Sequence, residues 1–276
     1  MQGASRESLS AATERLDMLL SSLAPDSSDT ESVDIGGELF SVGALLDAQP
    51  SLRSALTDPS RSGDDKADLV QSLLGGKVAE QIVDLLGGMA RSRWSAPRDL
   101  ADAASRLGVE AVLVSAQRQD RLDQVQEQLF DFAGIVAAQP GLRRALTDRG
   151  LPADRKAELL TDLIASRTTV EAARLIEHVV TQPRGRSLES NLDELAQAAA
   201  ARRERQVATV TSALPLSDQQ RTRLASVLAA QLGHGVQLNV VIDPDVVGGL
   251  RVAIGDEVID GTVSNRLDDA QRRITS

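Results

Sequence analysis

An internal duplication constrains the fold of this chain more than any other feature of its sequence. Residues 48–58 read AQPSLRSALTD and residues 138–148 read AQPGLRRALTD, which gives nine identities in eleven positions at an offset of 90. The agreement continues on both sides at the same offset: Leu39 and Phe40 match Leu129 and Phe130, and Leu73 matches Leu163. Similarity of this length at one fixed offset indicates a duplicated domain rather than a solenoid, whose repeats are shorter and more numerous. We therefore expect two copies of one unit, at residues 1–105 and 106–205.

Apolar residues within each copy recur at helical spacing. In the second copy they follow intervals of three or four, the spacing of one face of a helix: Leu122, Val125, Leu129, Phe132 and Val136. Pro50 and Pro140 follow these stretches and end the helices, because proline lacks an amide hydrogen and restricts the residue before it. We predict a bundle of about five or six helices for each copy. The passage from 100 to 119 contains no proline and a single glycine, which predicts one continuous helix joining the copies.

The acidic run at residues 24–31 is typical of a mobile loop. From Gln206 onward the pattern changes to an alternation of period two, which is typical of strands. Ser217 with Gln220 three residues later is the signature of a capping box, so a helix begins there. Period-two segments at 236–242 and 250–259 predict a further strand and a hairpin, and a final helix is predicted after Gly261. The fold class is therefore mainly α, with two homologous helical bundles followed by a small α/β domain at residues 206–276.

Composition excludes several classes of function. The net charge of −10, with its acidic excess in the first copy, argues against nucleic-acid binding, which needs clustered Lys and Arg. The sequence has no cysteine and two histidines, which leaves neither a disulfide nor a thiol-ligated metal site. No stretch approaches 18 consecutive apolar residues, and the N-terminus lacks the layout of a signal peptide. We expect a cytoplasmic location.

Individual candidate sites have simpler explanations than catalysis. Gly75-Gly76-Lys77 lacks the remaining residues of a phosphate-binding loop. His178 lies beside apolar neighbours and His234 lies in a Gly-His-Gly turn, and neither has a nucleophile nearby in the sequence. Trp94 is interpreted as a packing residue, with a partner contact as the alternative. The second copy has five extra residues around Arg184, which we interpret as a solvated loop, with an acidic partner as the alternative. We predict no catalytic site, no metal and no cofactor.

The C-terminal part carries a dense group of fixed residues that fit a strand, a turn and a hairpin: Asp243, Pro244, Gly248, Gly249, Arg251, Val252, Gly255, Asp256, Val258, Asp260, Gly261, Arg266 and Leu267. Turn chemistry explains the aspartates and glycines better than cation or phosphate binding does. This pattern resembles the C-terminal signature of the delta subunit of bacterial F-type ATP synthase, the equivalent of the mitochondrial oligomycin-sensitivity-conferring protein. The resemblance covers about residues 107 to 276. The extra first copy looks like the extended actinobacterial form of that family.

The resemblance implies a non-catalytic subunit of the peripheral stalk, or stator, through which proton flow is coupled to ATP synthesis. In such a subunit the helical bundle holds N-terminal helices of the alpha subunits, and the C-terminal domain holds the b-type stalk subunits. The resemblance also implies one copy per complex, at the cytoplasmic face of the cell membrane, with membrane association only through the complex.

Six apolar positions of the second copy are the predicted contacts with the N-terminal helices of the alpha subunits: Val109, Val112, Leu113, Val170, Leu175 and Val179. The same side chains equally fit the core of the bundle. A rival hypothesis from another class is a free-standing helical adaptor or regulator, with the acidic first copy as its active surface. The sequence leaves the role of the first copy open.

Overall fold

The computed structural model describes residues 3–23, 28–164, 167–204, 207–232, 236–243, 246, 248–254 and 257–260. The chain forms two compact units, Met1–Ala199 and Ala200–Ser276. The first unit is helical and the second combines a sheet with one helix, which confirms the predicted fold class.

The described part of the first unit is built from helices alone. Their bounds are α1 Ala4–Ser22, α2 Ser28–Ala48, α3 Pro50–Thr57, α4 Gly63–Leu74, α5 Glu80–Arg91, α6 Pro97–Arg118, α7 Leu122–Ala138, α8 Pro140–Thr147, α9 Ala153–Ile164, α10 Val170–Thr181 and α11 Leu188–Glu204. Residues 28–31 of the loop predicted at 24–31 belong to a helix instead, because α2 begins at Ser28. Acidic residues in the first turn of a helix are favoured by the helix dipole, so Asp29 and Glu31 suit a helix start as well as a loop. Residues 24–27 lie outside the described residues.

The duplication is visible in individual hydrogen bonds. In the first copy Glu38 Oε2 accepts a bond of 2.9 Å from the amide of Ala79, just before α5. In the second copy Gln128 Oε1 accepts a bond of 2.9 Å from the amide of Thr169, just before α10. The acceptors Glu38 and Gln128 are 90 residues apart along the chain, and so are the donors Ala79 and Thr169. Each bond satisfies an amide that a helix start leaves without a partner. The two copies therefore share their internal architecture.

Helix α6 runs without interruption from Pro97 to Arg118, which confirms the predicted continuous helix. Proline at the first helical position is favoured because its missing amide hydrogen is not needed there. The helix passes through residue 105 and contributes to both buried cores. The buried residues of the first core lie between Ala12 and Val114 in the sequence. Those of the second core lie between Val112 and Ala199, together with Phe40.

The second unit contains a four-stranded sheet and one described helix. Its elements are β1 Val207–Ser212, α12 Asp218–Leu232, β2 Gln237–Ile242, β3 Leu250–Ile254 and β4 Glu257–Asp260. The strand order is β2-β1-β3-β4, with β1 parallel to β2 and antiparallel to β3. Strands β3 and β4 pair antiparallel with Ile254 opposite Glu257, which confirms the predicted hairpin. The capping box is also present, since Ser217 and Gln220 exchange hydrogen bonds of 2.8 and 3.3 Å. The helix predicted after Gly261 lies outside the described residues.

Candidate partner-binding surfaces

The six predicted contact positions lie on α6 and at α10, which form one side of the second copy. Four of them are buried in the second core: Val112, Leu113, Leu175 and Val179. Val109 is half-buried against the same core, and Val170 is 52% exposed at the start of α10. The four buried side chains therefore have the core role that the sequence left open. A partner contact through any of the six stays a prediction.

Helix α2 of the first copy covers this side of the second copy and runs antiparallel to α6. The two backbones approach so closely that glycine is required at the contact. A Cβ atom built on Gly36 would lie 2.5 Å from Val112 Cγ2, and one built on Gly43 would lie 2.6 Å from Ser105 Oγ. Such distances are too short for real side chains, so the crossing of α2 over α6 depends on these glycines.

The ring of Phe40 on α2 packs into the second copy and is 4% exposed. It stacks on the imidazole of His178 on α10, with ring centres 3.8 Å apart. A Cβ built on Gly108 of α6 would lie 2.6 Å from the Phe40 ring. Burial, with Arg184 nearby as the smaller cause, lowers the pKa of His178 to about 3. His178 is therefore a neutral packing residue at the contact between the copies.

Arg184, in the loop between α10 and α11, makes a second contact between the two copies through ion pairs. Its Nη2 lies 2.8 Å from Asp47 Oδ2 of α2, and its Nη1 lies 2.9 Å from Asp102 Oδ1 of α6. Nη2 also donates to the carbonyl oxygen of Ala101 at 3.0 Å. The side chain is 15% exposed, so the solvated loop expected as the default is wrong at this residue. Its acidic partners are Asp47 and Asp102 of the same chain. The five-residue insertion was the sequence feature that could have indicated this contact.

The sequence has a single tryptophan, Trp94, which lies in the first unit. Trp94 packs in the first core and its Nε1 donates to the carbonyl oxygen of Met89 at 2.8 Å, which agrees with a packing residue. Across the described ranges, no helix combines the length and apolar character needed to cross a membrane. In the same ranges, no three His, Asp or Glu side chains are grouped to hold a metal ion.

The second unit contains an open apolar groove of about 570 Å³. It lies between the end of β1, helix α12 and the turn before β3, and its apolar lining includes Leu214, Leu216, Leu224 and Val227. Leu214 is 74% exposed and Val227 is 50% exposed. Large apolar side chains at an open groove are typical of a protein-binding surface. The neighbouring residue of α12, Leu228, is buried in the core of the unit, so Val227 and Leu228 have different surroundings.

The C-terminal signature forms one border of this groove. Gly248 and Gly249 line it with φ values of 65° and 86°, a left-handed conformation that side chains disfavour, so a turn explains the glycine pair. The amide of Asp243 donates to the carbonyl oxygen of Ser212 at 2.9 Å, which ties the turn to the end of β1. Arg251 lies opposite Asp260 in the hairpin register. Val252 is buried in the core of the unit and Val258 is half-exposed. The other signature positions lie outside the described residues: Pro244, Gly255, Asp256, Gly261, Arg266 and Leu267.

Comparison with known proteins identifies the family. The family described as "ATP synthase delta (OSCP) subunit" matches residues 109–274. The protein named "ATP synthase subunit delta" of Streptomyces coelicolor is 49% identical over 276 residues, covering 100% of this chain and 99% of the relative. Proteins of the same name from Streptomyces griseus and Kineococcus radiotolerans are 48% and 43% identical and cover 99% of this chain, and 99% and 97% of their own lengths.

A solved chain from the Toxoplasma gondii mitochondrial ATP synthase hexamer covers 61% of this chain and 95% of its own length. Its identity of 20% and TM-score of 0.30 are too low to support an argument. The sequence matches alone are decisive, since they extend over the first copy as well as over the C-terminal signature. This chain belongs to the ATP synthase delta (OSCP) subunit family.

Proposed function

We propose that this chain is a non-catalytic stator subunit of a rotary F-type ATP synthase, located at the cytoplasmic face of the cell membrane. It links alpha subunits of the catalytic head to the b-type stalk, in one copy per complex, and so prevents the head from turning with the shaft. The observation that carries this proposal is the family match, which spans residues 109–274 and so nearly all of the second copy and of the C-terminal unit. The role needs affinity and stiffness rather than chemistry.

The groove of the second unit is the proposed attachment site of the stalk. Its apolar lining, with Leu214 and Val227 exposed, suits the apolar stripe of a stalk helix. Burying one leucine side chain fully contributes about 1.5–3 kcal/mol. A nanomolar attachment corresponds to about 12 kcal/mol, so several such side chains must be covered together.

The first copy acts in this proposal as a brace for the second. The ring of Phe40, on α2 of the first copy, is part of the second core. Arg184 of the second copy binds carboxylates on α2 and α6. Separating the copies would expose apolar surface and leave partly buried charges without partners, which is costly. A tight contact of this kind transmits torque without bending between the copies.

A substitution in the groove tests the stalk attachment. Replacing Leu214 by Asp places a charge in the apolar groove, and we expect at least tenfold weaker binding to purified b-type stalk subunits, about 1.4 kcal/mol. The control is Val258→Asp, since Val258 is a half-exposed apolar residue of the same unit outside the groove lining. Equal stalk binding by wild type and Leu214→Asp would contradict the groove as the site.

Co-purification separates the stator from the free-standing adaptor. A tagged full-length chain in its own cells is expected to recover alpha, beta and b-type subunits in constant proportion. Recovery of other proteins without any ATP synthase subunit would favour the adaptor and contradict the stator.

A further inference from the structure

Among the described residues that line the groove of the second unit, Arg223 of α12 is the charged one. The other lining residues are apolar side chains, glycines and the two uncharged polar residues Ser212 and Gln220. No aspartate or glutamate belongs to this described lining. The groove therefore combines an apolar surface with a positive charge.

Arg223 lies on the face of α12 that forms one wall of the groove. Gln220, Arg223 and Val227 follow one another at spacings of three and four residues, which place them along one face of the helix. All three are exposed and line the groove. An arginine lays its apolar stem along such a surface and keeps its guanidinium in water. The charge is thus available beside the exposed side chain of Val227.

The guanidinium of Arg223 makes no ion pair or hydrogen bond within the described part of the chain. The neighbouring Arg221 differs, because its Nε donates to the carbonyl oxygen of Leu216 at 3.3 Å and it does not belong to the described lining of the groove. A guanidinium carries five donors in a planar fork, which matches the two oxygens of a carboxylate. Arg223 therefore offers a carboxylate-binding group at the border of an apolar surface.

We propose that Arg223 determines the specificity of the groove by pairing with an aspartate or glutamate side chain of the stalk helix, an inference that rests on the proposed stator function. The apolar stripe of that helix covers Leu214 and Val227, and its carboxylate lies at the edge of the stripe, opposite Arg223. Apolar contacts alone would allow the helix to shift by one turn along the groove. A charge pair at the border fixes the register and disfavours helices that present a basic residue there.

The order of side chains along α12 also gives the order of residues on the stalk helix. Gln220 lies about one turn before Arg223, and Val227 lies about one turn after it. Val227 is 50% exposed and apolar, whereas Gln220 is polar. The carboxylate of the stalk helix is therefore followed by apolar residues, at spacings of three or four, toward the Val227 end and by polar residues toward the Gln220 end.

The test measures binding of the full-length chain to purified b-type stalk subunits at several salt concentrations. Arg223→Gln removes the charge and is expected to bind about tenfold more weakly at low salt, about 1.4 kcal/mol. Its difference from wild type should shrink toward about 1 M salt, where the screening length is about 3 Å. Arg223→Lys should retain part of the affinity, because it keeps the charge without the fork. The matched control is Arg221→Gln, on the same helix, which is expected to bind within about twofold of wild type.

A double-mutant cycle identifies the carboxylate of the partner. The acidic side chains of the stalk subunit are replaced one at a time by the corresponding amides. One replacement is expected to weaken binding to the wild-type chain about tenfold and to leave binding to Arg223→Gln unchanged, because that chain has already lost the pair. Coupling that appears only when the terminal carboxylate of the stalk is amidated would overturn the assignment to a side chain.

The outcomes distinguish this inference from the function on which it rests. Wild-type affinity and salt dependence for Arg223→Gln, together with weaker binding by Leu214→Asp, would overturn the role of Arg223 and leave the groove and the stator function standing. Absence of stalk binding by the wild-type chain would overturn both. Arg223 is exposed, so a near-normal unfolding temperature of Arg223→Gln shows that weaker binding does not arise from misfolding.

Discussion

Acid is expected to destabilise the helical unit through His178, which lies against the ring of Phe40. Burial lowers the pKa of His178 to about 3 in the folded chain, from 6.5 as its ordinary value. Between these two values the unfolded chain binds a proton that the folded chain excludes. The contribution of His178 to stability is therefore fully present above about pH 6.5 and is lost as the pH falls toward 3.

The size of this effect follows from the two pKa values. One pKa unit corresponds to about 1.4 kcal/mol, and pH 4 lies about 2.5 units below the pKa of the unfolded side chain. Acidification from pH 7 to pH 4 is therefore expected to lower the free energy of unfolding by about 3 kcal/mol through His178 alone. The loss levels off below about pH 3, where both states bind the proton.

Urea unfolding at a series of pH values measures this contribution. Trp94 is the only tryptophan of the sequence and is buried in the first core, so its fluorescence follows the helical unit without the second unit. The reference is His178→Gln, which keeps a planar polar side chain without a titrating ring. Carboxylates titrate equally in both proteins, so the difference between their pH dependences isolates His178. Identical pH dependences would refute the buried contact between His178 and Phe40.

Three substitutions test other contacts of the structure. Arg184→Ala removes the cation that pairs with Asp47 and Asp102 and is expected to cost about 2–4 kcal/mol in urea unfolding, whereas Arg186→Ala, at a half-exposed side chain, should cost under about 0.5 kcal/mol; equal costs would contradict the contact made by Arg184. Gly108→Ala forces a methyl group against the ring of Phe40 and should cost at least about 2 kcal/mol. Gly134→Ala, in open space, should stabilise α7 by about 0.5–1 kcal/mol. Calorimetry that ranks the two variants otherwise would contradict the close crossing of α2 over α6. Gly249→Ala is expected to destabilise the second unit by about 1 kcal/mol, because alanine disfavours its positive φ; unchanged thermal unfolding of that unit would argue against the turn.

Sequence predicts the elements of this fold because each has a local signal. The spacing of Leu122, Val125 and Leu129 marks a helix wherever it lies, and the absence of proline between 100 and 119 is enough to predict α6. The hairpin at 250–260 follows from alternation around a turn pair. The helical start of α2 at residues 28–31 was predicted as loop, because acidic residues suit both a loop and the first turn of a helix.

The contact between the copies lacks such a signal. Glycines at 36 and 43 count only as a local cost to a helix, and no pattern tells which helix they approach. The insertion around Arg184 is visible, but its carboxylate partners on α2 and α6 become neighbours only after folding. Apolar residues such as Val112 and Leu175 look alike in sequence whether they fill a core or meet a partner. For this reason the predicted contact positions could not be separated from the core, and the groove at Leu214 was not foreseen.

A bridging measurement shows whether this chain connects the catalytic head to the stalk. Membranes stripped of both this chain and the catalytic head retain the stalk, and purified head is added with or without the purified chain. We expect the head to rebind and proton-driven ATP synthesis to return only when the chain is present, whereas the free head hydrolyses ATP in either case. Rebinding of the head and full recovery of synthesis without the chain would contradict this expectation.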